Sequence, residues 1–162
     1  VVNRKSFLVF SIGEKRFALP SEDVFRVSPA AELLEVPEAP GFIRGVVNLG
    51  GEPVPVADLR KKEGLSFREM ELSDRFVFFR SGGTLCGVLA ESVEGVLDLV
   101  PETVPFSSLL VRQGDPLPGT VRVAYGEESG AILIRSPENL LSLTEEELLC
   151  LEPVMSARRE AL

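Results

Sequence analysis

The stretch Pro40-Gly-Phe-Ile-Arg-Gly-Val-Val-Asn-Leu-Gly-Gly-Glu-Pro-Val-Pro-Val-Ala-Asp-Leu-Arg60 decides the fold class. Val46, Val47 and Leu49 run into Gly50-Gly51, and Val54, Val56 and Leu59 carry the chain away again. An apolar strand, a glycine pair that takes φ > 0 without steric cost, and a second apolar strand make a hairpin. Pro53 and Pro55 have no N–H to give to a ladder, which places one side of the return strand at a sheet edge or a bulge. An exposed edge is either protected or used for recognition, so the stretch reads as part of a binding module.

An ungapped internal echo extends this reading. Phe7 to Val27 aligns with Phe76 to Val96, with identities at Phe7/Phe76, Phe10/Phe79, Gly13/Gly82, Glu22/Glu91, Val24/Val93 and Val27/Val96. Each copy reads strand, glycine turn, strand, short acidic segment, strand. Each is followed by another hairpin, Val46 to Leu59 after the first and Val121 to Ile134 after the second. The offset of 69 residues is too long for a solenoid unit and suits a duplicated small β-unit.

The pattern predicts ten short strands, near 6–12, 15–20, 23–28, 42–49, 53–58, 75–80, 84–89, 93–98, 120–125 and 130–135. The fold class is therefore all-β, as two halves of roughly 4–65 and 72–142 with the possibility of exchanged edge strands. Strand alternation turns Phe7, Val9, Phe17, Leu19 and Val24 toward apolar interiors, with their echoes Phe76, Phe78, Cys86, Val88 and Val93. Ala30-Ala-Glu-Leu-Leu-Glu35 reads as a helical turn ended by Pro37 and Pro40, and Pro101 to Pro118 as the longest irregular segment. A short C-terminal helix starts at Ser136, and Thr144 with Glu147 forms a capping box for a helical tail over 143–158.

Composition narrows the function. The 162 residues carry a net charge of -8, which disfavours nucleic acid and anionic membrane as partners. Most of the acids, Glu69, Glu71 and Asp74 among them, read as solvated surface. Histidine is absent, and Cys86 and Cys150 form no CxxC, so neither a soft-metal site nor a disulfide framework has support. No apolar run reaches membrane-spanning length and no signal peptide is evident, which points to the cytoplasm. Asp58 at a strand end has no histidine, cysteine or paired carboxylate to work with and reads as a turn former. Glu22 and Asp23 point to opposite sides of an extended chain, and Ser107 and Ser108 have no base. No catalytic residue, metal ligand or cofactor site is assigned, and the chain is read as a non-enzyme.

With these elements in place, the chain resembles the CheW-like domain family, the adaptor modules of bacterial chemotaxis. The resemblance runs through Phe7 to Phe10, Gly13, Phe17-Ala18-Leu19-Pro20 and Val24. It continues through Val36-Pro37-Glu38-Ala39-Pro40-Gly41-Phe42-Ile43-Arg44-Gly45-Val46-Val47-Asn48-Leu49, then Gly51, Pro55-Val56 and Asp58-Leu59-Arg60, and ends at Leu140-Leu141-Ser142. It implies two SH3-like five-stranded β-barrels packed together around a joint core. It also implies a cofactor-free scaffold that links methyl-accepting chemoreceptor tips to the regulatory domain of a CheA-type histidine kinase.

The residues expected at protein-binding surfaces are Arg26, Val27, Arg44, Gly45, Asn48, Gly50, Gly51, Asp58, Val93 and Val96. Two of them depart from the family pattern, which has an acidic residue at Arg26 and an arginine at Gly50, commonly as a salt bridge. Arg26 would then need another partner, such as Glu52 or an acid on the bound protein. The family's aspartate after the seventh strand stands here as Glu91. Two other readings compete: a stand-alone SH3-like interaction module, and a small-molecule carrier with an apolar cavity between the halves.

Overall fold

Eleven strands and one short helix make up the described residues, 4–39, 41–105, 120–125 and 130–141 of a computed structural model. In chain order the strands are β1 (Lys5–Ile12), β2 (Lys15–Pro20), β3 (Val24–Pro29), β4 (Ile43–Leu49), β5 (Glu52–Ala57) and β6 (Arg75–Ser81). The rest are β7 (Thr84–Ala90), β8 (Ser92–Leu99), β9 (Glu102–Pro105), β10 (Thr120–Tyr125) and β11 (Ala131–Ile134). A 3₁₀ turn at Ser21–Asp23 leads into β3, and α1 spans Pro137–Leu141. Ser136 Oγ accepts the Asn139 N–H at 3.2 Å and so caps α1.

The strands form two mixed sheets, sheet A in the order β8-β1-β2-β11-β10-β9 and sheet B in the order β3-β6-β7-β5-β4. This corrects the expectation of two five-stranded SH3-like barrels. One sheet has six strands, and neither closes, because the end strands of each have no ladder between them. The extra strand is β9, which pairs with β10 where the sequence, with Pro101 and Pro105 at hand, reads as irregular. Ala30–Glu35 is not a helical turn either. Leu34 bridges β4 instead, with its N–H on the Val46 carbonyl at 2.9 Å and its own carbonyl on the Val46 N–H at 2.8 Å. The tail over 143–158, with Thr144, Glu147 and Cys150, lies outside the described residues.

The duplication is visible in the pairing. The order β8-β1-β2-β11-β10 repeats as β3-β6-β7-β5-β4, and the parallel pair β2/β11 is matched by β7/β5. Even the irregularities correspond, since the register of β3 slips between Val24 and Arg26 and that of β8 between Val93 and Gly95. Each sheet thus takes its leading hairpin from one copy and its remaining strands from the other.

Both hairpins are buried on both faces, which is why β1, β2, β6 and β7 read as nearly continuous apolar runs. Leu8, Phe10, Ile12, Phe17 and Leu19 of sheet A meet Val77, Phe79, Cys86, Val88 and Ala90 of sheet B in a shared core, with Leu140 and Leu141 of α1. Phe10 and Phe17 stack there with centroids 5.8 Å apart. Phe7, Val9 and Ala18 face a smaller core behind sheet A, with Leu99, Ala124, Ile132 and Ile134. Phe76, Phe78, Leu85 and Leu89 do the same behind sheet B, with Val54 and Val56. The residues expected to point inward are therefore buried or partly buried, but they divide among three cores: Phe17, Leu19, Cys86 and Val88 enter the shared one, and Val24 and Val93 pack against it.

Candidate protein-interaction site

The expected binding residues fall into three places. Arg26 and Val27 lie on β3, the edge strand of sheet B, and Val93 and Val96 on β8, the edge strand of sheet A. Near its start each strand has a valine, Val24 or Val93, packed against the shared core, and then runs outward. Phe25 is 54% exposed, Val27 37%, Val96 61% and Leu97 37%, so both edges offer apolar side chains to solvent. Arg26 is exposed and makes no ion pair with Glu52 or any other described residue, so the suggested internal partner is ruled out. Sequence reasoning missed Phe25 and Arg80, whose guanidinium carbon sits 5.6 Å from the Phe25 ring centroid.

The β4–β5 hairpin holds the second group. Gly50 and Gly51 turn with φ of 64° and 89°, and Asn48 Oδ1 accepts the Gly51 N–H at 2.6 Å. Gly45 is buried against the Leu33–Leu34 segment, where a Cβ would come within 2.7 Å of the Leu34 carbonyl oxygen.

The third group is a web of charge between the sheets. Asp58 is only 8% exposed, accepts the Arg60 N–H at 3.0 Å and meets Arg44 Nη1 at 3.4 Å, so the turn-former reading holds and a pairing role is added. Arg44 in turn lies 4.6 Å from the centroid of the exposed Phe67 ring. Glu91 is the single residue between β7 of sheet B and β8 of sheet A. Its carboxylate accepts the Gly13 N–H from the β1–β2 turn and a hydrogen bond from Arg60 Nη1 at 3.0 Å. Arg68 Nε is 2.7 Å from the same carboxylate, without an aligned N–H, so that contact is ionic rather than a directed hydrogen bond.

Arg68 also donates to Asp74 at 2.8 Å, and this bond raises its pKa further against the opposing effect of burial. Asp74 is 1% exposed, not the solvated acid that its sequence context suggests. The web joins the 58–74 connection of sheet B to the leading turn of sheet A, and of its members Arg44, Asp58 and Glu91 are legible as special from the sequence, whereas Arg60, Arg68 and Asp74 are not.

Among the described residues no cluster of three or more His, Cys, Asp or Glu could hold a metal ion, and no helix is long and apolar enough to cross a membrane. Burial pushes the Cys86 thiol up to about 11, which keeps it protonated and inert. Among the described residues, Phe10, Phe17 and Phe79 pack together in the shared core between the sheets. A cleft of about 670 Å³ lies instead along sheet A, between Arg4, Asp98, Glu102 and Tyr125.

Comparison with known proteins agrees with this geometry. The family model described as "CheW-like domain" matches residues 6–145. The chemotaxis protein CheW of Helicobacter pylori is 29% identical over 128 residues, covering 72% of this chain and 78% of that protein. Protein FrzA of Myxococcus xanthus is 36% identical over 104 residues, covering 60% of this chain and 64% of that protein. The crystal structure of the scaffolding protein TtCheW from Thermoanaerobacter tengcongensis superposes with a TM-score of 0.63 at 26% identity, covering 82% of this chain and 88% of that one. A match over this length, on two sheets joined by a shared core and bearing exposed edge strands, means that the chain belongs to the CheW-like domain family of chemotaxis adaptors.

Proposed function

We propose that this chain is a cytoplasmic adaptor that couples chemoreceptor tips to the regulatory domain of a CheA-type histidine kinase. The observation that carries the reading is the family match across 6–145, on a chain in which each sheet ends in an exposed, partly apolar strand. Bridging needs two faces. The receptor's helical hairpin is assigned to the edges bearing Arg26, Val27, Val93 and Val96, with Arg44 and Gly45 at the margin. The kinase is assigned to the hairpin of the N-terminal half, at Asn48, Gly50, Gly51 and Asp58. Contacts that differ at the two faces repeat from molecule to molecule, so modest individual affinities add up across an array.

Titration calorimetry against a receptor-tip fragment and a kinase regulatory domain from the same cell tests this. Val96→Asp is expected to weaken the receptor fragment at least about tenfold, since it places a charge in an apolar contact, and to leave the kinase domain unaffected. Absence of binding to both proteins by the wild type would end the reading.

A further inference from the structure

We infer that the partner surface seated on β3 is acidic, with carboxylates flanking an apolar side chain as the counterpart of Arg26 and Arg80 around Phe25. The inference rests on the adaptor reading and names the chemistry of the partner's face.

The chain has 25 acidic residues against 17 basic ones, and the arginines that hold its interior together are neutralised internally. Arg16 is held by Glu94, Arg44 by Asp58, Arg60 by Glu91, and Arg68 by Glu91 and Asp74. Arg26 and Arg80, like Arg4 and Arg122, are exposed and not within ion-pair distance of a described carboxylate, but Arg26 and Arg80 alone among these belong to the β3–β6 edge that carries an exposed aromatic ring. Phe25, next to Arg26 in the chain, is 54% exposed at the bulge where the β3 register slips. Arg80 lies against its ring, so a fixed cation and an aromatic surface are presented together. Arginine and aromatic side chains are the types that dominate binding energy at interfaces.

The charge selects the occupant. A basic surface would be repelled by two guanidinium groups, and a second copy offering its own β3 would oppose like charges. A second copy offering β8 would bring Glu94 and Asp98, which are already bound by Arg16 and Ser6. The bulge at Phe25 also interrupts the edge, which disfavours an added strand and favours recognition by side chains. An acid-bearing helical face meets all of these conditions.

The test titrates a receptor-tip fragment from the same cell with wild type, Arg26→Lys, Arg26→Glu, Arg80→Glu and Val96→Asp, at low and high salt. Expected are affinity that falls with salt, a loss of more than about tenfold for each Glu variant from like-charge contact, and near wild-type binding by Arg26→Lys. Neutralising fragment carboxylates, Glu→Gln, should reproduce the loss. Glu variants that bind within about twofold of wild type, the scale of a solvated charge, while Val96→Asp fails, would overturn the acidic partner and leave the adaptor reading intact. Binding of neither receptor nor kinase by the wild type would remove both. Self-association of the wild type that Arg26→Glu abolishes would assign the patch to a second copy and overturn the inference.

Discussion

Replacing Glu91 by alanine should uncouple the two sheets more than any other single surface-accessible change. Its carboxylate takes two directed hydrogen bonds, from Gly13 N–H and Arg60 Nη1, and one ionic contact from Arg68. Hydrogen bonds to a charged group are worth about 1.5–3 kcal/mol each, and stripping one partner from a buried pair costs about 3–5 kcal/mol. The Glu91 side chain is 25% exposed, so water recovers part of that.

The expected loss is about 3 kcal/mol for Glu91→Ala, and about 1–2 kcal/mol for Glu91→Gln, which keeps an oxygen for Gly13. At about 2–4 °C per kcal/mol for a chain of this size, the alanine variant should melt about 6–12 °C lower. Urea unfolding gives the free energy, and hydrogen exchange at the Gly13 amide reports the local contact. Glu94→Ala, which breaks the more exposed pair with Arg16, is the control and should cost no more than about 1 kcal/mol. Equal losses in the two alanine variants, or unchanged exchange at Gly13, would refute the reasoning.

Glycine substitutions should separate crowding from backbone geometry. Gly45→Ala puts a Cβ 2.7 Å from the Leu34 carbonyl oxygen and 2.8 Å from Leu33 Cβ, in a segment fixed by two hydrogen bonds, and should cost about 2–3 kcal/mol. Gly50→Ala meets nothing within 4 Å and should cost only about 1 kcal/mol for its φ of 64°; urea unfolding that reverses the order would contradict both estimates. Cys86 should resist alkylation at neutral pH until the protein unfolds, so mass spectrometry that finds it labelled in the native state would contradict its burial. The Asp23 carboxyl is raised by desolvation first, then by Glu22 and Glu138, so its ionised form is disfavoured in the folded state. Asp23→Asn should therefore stabilise at neutral pH by about 0.5 kcal/mol. The gain should vanish as pH falls below the usual carboxylate range, where both side chains are neutral, and pH-dependent melting shows whether it does.

Ten of the strands were legible because each is an apolar run punctuated by glycine, proline or acidic residues. Strand β9 was not, since Glu102-Thr-Val-Pro105 carries one apolar side chain between prolines and is extended only because β10 lies beside it. Closure into barrels is a property of strand ends, and no residue pattern encodes whether β8 reaches β9. Asp74 looked solvated because its neighbours are polar, and it is buried because Arg68, six residues earlier, folds back onto it. Arg44 and Asp58 each stand out in the sequence separately, whereas their contact depends on the β4–β5 pairing. Phe25 was legible in principle: in the internal echo it aligns with Glu94, and a charged counterpart at a duplicated position marks an outward one.

Chain order and spatial order disagree in this molecule. The ribosome delivers β2 more than a hundred residues before β11, the strand that lies against it, so sheet A stays incomplete while most of the chain is made. Such distant pairings make folding slow and the closing step late. They also mean that a break in the connection near Glu69 yields no self-sufficient half. Each piece would hold two strands or more of both sheets, and could find its missing ladders only on the other piece. The natural unit of inheritance, a duplicated hairpin and its followers, is thus not a unit of folding. Any fusion or tag that keeps the two pieces apart removes both interaction edges at once.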